Sequence, residues 1–319
     1  MVIALQVINL KKEYGDKLVL DDVSFDVEQG EIFGVIGMSG SGKTTLLNHL
    51  IGFLEPDEGE IKYHSTRILH QNPKELRELH ENMMEVKKLF GFAPQAASFY
   101  PRLTVQENME HFGALQKIDS KIINENMERL LSMTQLDVHR NKLAEHLSGG
   151  QQRRLSIVCG LIHNPEVLIL DEPTADLDPV LRDETWHLIK AINKLGTTVV
   201  VASHLLEELE DACSRVIMLS NGKVAHYGKI EDIEEKFAHD TVEIRIEAPA
   251  DQLKILEQHV RRGDNLKHED RALLLYSKTP RDTLLEIARL IHSGRVKVTS
   301  LEVHRPRLKE VFEQTITHQ

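Results

Sequence analysis

The stretch "GVIGMSGSGKTTLLNHLIGFL", Gly34 to Leu54, sets four of its five glycines and two serines before Lys43 and two threonines after it, then runs into a helical pattern. Glycine near a helix start costs conformational entropy unless the backbone must approach something closely. A phosphate group demands such an approach. Gly37-Met38-Ser39-Gly40-Ser41-Gly42-Lys43-Thr44 satisfies G-x-x-x-x-G-K-[ST], with Thr45 continuing it. The preceding "EIFGVIG" is a continuous apolar run, as expected of a strand buried on both faces. Strand, loop and helix in that order are the context the motif requires. The glycines let successive backbone N–H groups turn toward one anion, and the positive end of the helix adds to the field. Lys43 is then placed for the β- and γ-phosphates of a nucleoside triphosphate, and the Thr44 hydroxyl for Mg²⁺.

A second stretch, "EVLILDEPTADLD", supplies acids. Val167 to Leu170 reads as a buried strand delivering Asp171 to its carboxyl edge, where ligands sit in open α/β sheets. A carboxylate there can hold the Mg²⁺ shell. Glu172 points differently, and can orient and deprotonate a water for in-line attack on the γ-phosphate.

At 319 residues the chain exceeds the usual size of one domain. Apolar content is ordinary, and no apolar run approaches the roughly 18–20 residues that span a bilayer. The N-terminus "MVIALQVINLKKEYG" places its basic residues after the apolar stretch, so it is not read as a signal peptide. Cys159 and Cys213 sit in apolar helical patterns without metal spacing, which fits inert thiols in a reducing cytoplasm. Residues 241–319 hold 14 Lys and Arg against 12 Asp and Glu, whereas the remainder holds 25 against 38. An acidic main body argues against a nucleic-acid-binding face there. The 17 histidines fall in no metal-binding cluster and read as scattered surface residues.

Residues 4–28 alternate with period two and read as antiparallel strands with turns at Tyr14-Gly15-Asp16 and Glu28-Gln29-Gly30. After the first helix comes a turn, "EPDEG", and a strand, "EIKYHS". Residues 70–90 are highly charged with helical spacing and read as a solvated surface helix. Helices dominate from Thr104 to about Asn164. "EVLILDE", "TTVVVASH" and "RVIMLS" are apolar strands alternating with helices, which means a parallel sheet with crossovers. Asn221-Gly222 marks a two-residue hairpin. Beyond Lys236 the order is strand, helix, strand, strand, helix, strand and a terminal helix. The first six make βαββαβ, the split-βαβ order of a small ferredoxin-like domain.

Between the two acidic and phosphate motifs lies "LSGGQQRRLSIVCGLIHNP". Ser148 is a good N-cap, and Gly149 and Gly150 expose backbone N–H groups at a second anion-binding helix start. Here the sequence resembles the ATP-binding cassette (ABC) ATPases. Leu147-Ser148-Gly149-Gly150-Gln151 is their signature unchanged, and the resemblance covers about residues 3–230. It implies that Tyr14 stacks on adenine, and that Gln95 senses Mg²⁺ and the attacking water. Ala175-Asp176-Leu177-Asp178 matches the loop crossing to the opposite subunit, and His204 the switch histidine that contacts the γ-phosphate. The implied fold is α/β. A P-loop NTPase cassette over 1–236 has a mixed sheet core, an antiparallel β subdomain and a helical subdomain at about 97–160. A C-terminal α+β ferredoxin-like domain follows over 237–319, as an accessory or regulatory module.

The resemblance also implies a mechanism. Two cassettes pair head to tail, each ATP lying between one phosphate loop and the other subunit's Ser148, Gly149, Gly150 and Gln151. ATP closes the pair, and hydrolysis at Glu172 opens it. The second cassette is a copy or a close relative. The expected setting is the cytoplasmic motor at the inner face of a membrane, bound to separate integral-membrane permease subunits, with no nucleic acid partner. Soluble relatives acting on ribosomes or DNA usually carry two cassettes or long insertions, whereas the interval from Gln95 to Leu147 is compact. The ending "RLKEVFEQTI" resembles the Leu-Glu-Asp-Val-Phe ending of ABC-2 type drug, antibiotic and sodium exporter ATPases. Leu308, Val311 and Phe312 match, while Lys309 departs from the usual acid. Export is therefore expected, with an importer carrying a solute-sensing tail as the alternative.

Overall fold

A computed structural model describes residues 2–65, 76–80, 86–238, 242–259, 265–269, 272–277, 279–304, 308, 309, 311 and 312. The chain divides into two compact units, Met1–Gly228 and Lys229–Gln319. That division falls ahead of the Lys236 boundary read from the sequence. The reason is the helix Ile230–Ala238 (α7), whose Ile230 and Ile233 are buried and whose Glu234 accepts a bond from the Leu308 amide at 3.1 Å.

In the first unit, β1 (Ile3–Tyr14) pairs antiparallel with β2 (Lys17–Glu28) and β4 (Glu58–Tyr63). A two-residue strand, β5 (Arg77–Glu78), pairs with β4 and completes a four-stranded sheet. The second sheet has the order β10-β9-β3-β8-β7-β6. Its members are β3 (Ile32–Gly37), β6 (Phe90–Ala93), β7 (Val167–Asp171), β8 (Thr198–Ser203), β9 (Arg215–Ser220) and β10 (Lys223–Lys229). The pairs from β9 through β6 are parallel, as their unbroken apolar runs require. Asn221 and Gly222 both have positive φ, 49° and 77°, the type I′ geometry of a two-residue hairpin from β9 to β10.

One core binds both sheets to α1 (Lys43–Leu50). Leu46, Leu47 and Leu50 lie on the buried side of that helix, against Val7, Phe25 and Val35 from the strands. The helices α2 (Val105–Leu115), α3 (Ser120–Thr134) and α4 (Gly149–Leu161) follow β6. Thr104 and Glu107 start α2 with a reciprocal capping box. The later crossovers are α5 (Pro179–Lys194) and the short α6 (Leu206–Ala212).

Two expectations change. Residues 77–78 are an edge strand, not part of a helix: pairing Lys62 with Glu78 and Tyr63 with Arg77 outweighs the helical charge pattern. Charged side chains suit an edge that must not recruit another chain. Residues 70–75 and 81–85 of that segment lie outside the described residues. His49 and His64 are buried rather than superficial, His49 Nδ1 donating to the Thr45 carbonyl at 2.7 Å. Among the described residues no group of three or more His, Cys, Asp or Glu could hold a metal. Both cysteines are buried and free, with their thiol pKa values pushed up by burial.

Close backbone packing makes one glycine of the first sheet decisive. Gly59 has φ +92°, and a Cβ there would lie 2.3 Å from the Asn9 carbonyl oxygen and 2.5 Å from that of Ile8. Gly59→Ala should lower unfolding stability by about 2–4 kcal/mol, combining strained φ with overpacking. Chemical denaturation measures it, and an unchanged midpoint would show that β1 and β4 can separate freely at this point.

The second unit contains α7, β11 (Val242–Glu247), α8 (Ala250–His259), β12 (Asn265–Glu269), β13 (Ala272–Ser277), α9 (Pro280–His292) and β14 (Ser300–His304). Its sheet order, β12-β13-β11-β14, is antiparallel at every pairing, the arrangement a split βαβ produces. Ile244, Ile246, Leu273 and Leu275 face Leu253, Leu256, Ile287 and Leu290 of α8 and α9. Residues 308, 309, 311 and 312 are helical, with Leu308 and Val311 buried and Lys309 exposed; the rest of the expected terminal helix lies outside the described residues.

Candidate active site

The order β3-β8-β7 places the carboxyl ends of three parallel strands side by side, and each end carries chemistry. The loop after β3 turns at Gly40 (φ +82°) and Gly42 (φ +103°) and passes into α1. Gly37 cannot carry a side chain: a Cβ would lie 2.2 Å from the Ser41 Oγ and 2.9 Å from the Leu219 carbonyl oxygen. Gly42 is the N-cap of α1 and offers no side-chain acceptor, so the first N–H groups of that helix are free to meet an anion. Gly42 also packs beneath β2, where its Cβ would approach Leu20 Cδ2 at 2.8 Å, and this fixes the loop against the β1–β2 hairpin. Met38, Ser39 and Gly40 are exposed, while Ser41 is buried with an Oγ that has no partner.

Lys43 is 8 % exposed; its ammonium donates to the Gly37 carbonyl at 2.7 Å and that of Met38 at 3.3 Å. It also lies 3.6 Å from the Glu172 carboxylate. The Thr44 hydroxyl donates to Asp171 Oδ2 at 2.9 Å, joining the loop to the end of β7. The other Asp171 oxygen, Oδ1, is buried without a partner. Burial pushes the Asp171 carboxyl above the usual aspartate range, opposed by the Thr44 hydroxyl and the Lys43 and Arg153 charges, while Glu172 adds to the rise. A cation against Oδ1 would restore the ionised form, so Thr44 and Asp171 fit a hard divalent ion.

Glu172 has φ +48°, left-handed backbone that a non-glycine residue adopts only under constraint. Its amide donates to the Ala202 carbonyl at 2.8 Å, and its Oε2 meets His204 Nδ1 at 2.7 Å. Base candidate and switch candidate thus already touch, across the ends of β7 and β8. The segments that follow these two strands are joined as well. Thr174 Oγ1 and Trp186 Nε1 both donate to Glu208 Oε2 on α6, at 2.5 and 2.7 Å.

Other expected site residues stand apart from this cluster. Ser148 caps α4: its amide donates to Gln151 Oε1 at 3.0 Å and its hydroxyl accepts from the Gln151 amide at 3.4 Å. Ser148 and Gly149 are exposed, and Gly150 packs on Leu181. Gln95 is exposed and enters the site through its backbone, its carbonyl accepting from Arg153 at 3.3 Å. Tyr14 is 48 % exposed at the β1–β2 turn, with the Lys12 ammonium 5.8 Å from its ring centre. Thr45 is half-buried, and Asp178 caps α5 by accepting from the Leu181 amide at 3.0 Å. Among the described contacts none links Tyr14, the Gln95 side chain or Ser148–Gln151 to the loop. Arg153, Thr174, Trp186 and Glu208 are participants that sequence reasoning missed, because each reads locally as an ordinary helix or turn residue.

Known proteins resemble this chain over much or nearly all of its length. The ABC transporter family model matches residues 20–175. The chain is 30% identical over 311 residues to the Nod factor export ATP-binding protein I of Sinorhizobium fredii, covering 97% of this chain and 85% of that one. It is 32% identical over 240 residues to the Fe(3+) ions import ATP-binding protein FbpC of Fusobacterium nucleatum, covering 75% of this chain and 62% of the relative. Among solved structures it resembles the dimeric post-hydrolysis state of the ATP-binding cassette MJ0796 bound to ADP and Pi. That match has a TM-score of 0.59 at 28% identity and covers 70% of this chain and 98% of the other. A loop built for phosphates, an acid pair at the adjoining strand ends and relatives matched over nearly the whole chain lead to one assignment: this chain belongs to the ABC transporter family as an ATP-binding, ATP-hydrolysing subunit.

Proposed function

We propose that this subunit powers an exporter, working as one of two cassettes at the cytoplasmic face of separate membrane-spanning subunits. What supports export is the reach of the likeness: although one Nod factor export subunit aligns over 241 residues, another aligns over 311, tail included, while the iron importer aligns over 240, close to the length of the first unit alone. No helix among the described residues is long and apolar enough to cross a membrane; in this reading the pathway is supplied by separate membrane-spanning subunits.

The chemistry follows from residues at the sheet edge. Backbone N–H groups of Gly37–Gly42 and the uncapped start of α1 hold the triphosphate, with Lys43 facing its β- and γ-phosphates and Tyr14 against adenine. Thr44, Asp171 and Gln95 would hold Mg²⁺, which would neutralise charge on the phosphates when bound. Glu172 accepts the proton of a water whose oxygen attacks the γ-phosphorus, as the bond to the ADP oxygen breaks. His204 fixes the Glu172 carboxylate through their 2.7 Å contact and lies beside the γ-phosphate. Ser148, Gly149, Gly150 and Gln151 of a second cassette close over the same nucleotide.

The membrane protein that copurifies with the full chain from detergent extracts is the test of the transport reading. An ABC-2 type spanning subunit is expected, and its absence would turn the reading toward a non-transport ATPase. The second unit tests direction. A chain ending at Gly228 should keep its ATP affinity within about threefold, since the phosphate loop, Asp171, Glu172 and His204 all precede the cut and its core is separate. If the tail domain instead binds an amino acid with defined stoichiometry, import replaces export. A soluble, folded 1–228 chain that cannot bind ATP would overturn the division of labour between the units.

A further inference from the structure

We propose that Arg153 is a positioning residue for ATP hydrolysis, holding the strained turn that presents Glu172 and tying that turn to the Gln95 loop. The inference rests on the reading of Glu172 as the base.

Arg153 lies on α4, two residues beyond Gln151, and its guanidinium is spent on backbone carbonyls. Nη2 donates to the Asp171 carbonyl at 2.8 Å and Nε to that of Pro173 at 2.9 Å. Nη1 donates to the Pro94 carbonyl at 2.7 Å and to that of Gln95 at 3.3 Å. The first two acceptors bracket Glu172, one on each side. Its own amide is held by Ala202, and its carbonyl accepts from the Ala175 amide at 3.2 Å. The backbone polar groups around the left-handed Glu172 are therefore all tied, and Arg153 supplies two of the ties.

This arrangement needs arginine. A planar fork with five N–H groups can reach four acceptors from two loops, whereas an ammonium has three donors on one nitrogen. Nor is the side chain merely neutralising an acid, because none of its described bonds goes to a carboxylate. Burial costs the cation hydration, which the nearby Asp171 and Glu172 charges partly return. An ordinary surface arginine would have no reason to accept that cost. The carboxylate of Glu172 meets Lys43 and His204 only while its backbone keeps this conformation, so loosening it displaces the base while Lys43 keeps its bonds to the Gly37 and Met38 carbonyls.

The test is kinetic and uses the full chain. Arg153→Gln should lower the ATPase kcat by about 10- to 100-fold, as expected when a reacting group is misplaced by an ångström, with KM and the calorimetric Kd for Mg-ATP within about threefold. Arg153→Lys should retain more kcat than Arg153→Gln, because it keeps the charge and part of the donor set. It carries the test alone should the glutamine variant fail to fold. A kcat within twofold of the parent overturns the inference. So does a loss of ATP affinity in step with kcat and unfolding midpoint, the pattern of a generally structural arginine. Glu172→Gln assayed alongside separates the two claims. If it turns over normally, the base reading fails regardless of Arg153. If it is slow while Arg153→Gln is normal, only the positioning role is lost.

Discussion

Glu172→Gln should bind Mg-ATP as the parent does and hydrolyse it about 10²–10⁴-fold more slowly, the usual cost of losing a general base. The substitution preserves shape and removes only charge and basicity. An amide in the same rotamer can still meet His204, now 2.7 Å from Oε2, so the ends of β7 and β8 stay joined. The ion pair with Lys43 spans 3.6 Å, long enough that its loss leaves the ammonium held by the Gly37 and Met38 carbonyls. Binding groups are therefore intact while the proton acceptor is gone. Uncleaved ATP should then hold two cassettes together, visible as a dimer by gel filtration with Mg-ATP. The measurement is repeated with any copurifying cassette, since a heterodimeric transporter pairs only with its own partner. Turnover within threefold of the parent would remove Glu172 from the chemistry.

The parts of this site that a sequence announces are those whose geometry is local. Gly37 to Thr44 is one continuous strand–loop–helix turn, and its glycines are required by contacts a few residues away, such as Gly37 against Ser41. Asp171 and Glu172 end an unbroken apolar strand, and His204 ends another. Their meeting needed one further fact, that β8 inserts between β3 and β7, and parallel order alone does not specify it. Arg153 shows where such reading stops. It sits in "QQRRLS", a charged turn at a helix start that looks solvated, and its partners are 18 to 59 residues away. Glu208 is likewise hidden in "LLEELEDA", an acidic helix face by pattern, although it accepts from both Thr174 and Trp186.

The same limit explains the misread segment near residue 77. Its leucines and charges recur at helical spacing, but Leu79 is buried with its amide bonded to the Ile61 carbonyl at 2.8 Å. Tertiary pairing along β4 overrides intrinsic preference when an edge is available. The buried histidines follow from packing too: His49 is on the core side of α1, one turn after Thr45, where helical periodicity places the buried leucines.

Lys43→Ala should weaken Mg-ATP binding by about 10³-fold. A unit charge about 4 Å from another is worth about 4 kcal/mol at an effective dielectric of 20, and each 1.4 kcal/mol is a factor of ten. Here the ammonium is almost fully buried and preoriented by two carbonyls of its own loop, so little ordering remains to be done on binding. Alanine removes the charge and leaves the loop carbonyls and the Glu172 carboxylate facing the phosphate position, which turns an attractive site into a repulsive one. The glycine-bounded backbone N–H groups remain, and they account for whatever residual affinity survives. Calorimetry with Mg-ATP gives the number, and a single cooperative unfolding transition verifies that the variant is folded. With Lys43 acting on binding and Glu172 on turnover, as proposed, the two variants should separate cleanly: one loses ATP, the other keeps it uncleaved. An alanine variant that binds ATP with the parent's affinity would place the phosphates away from Lys43 and undo the assignment of the loop.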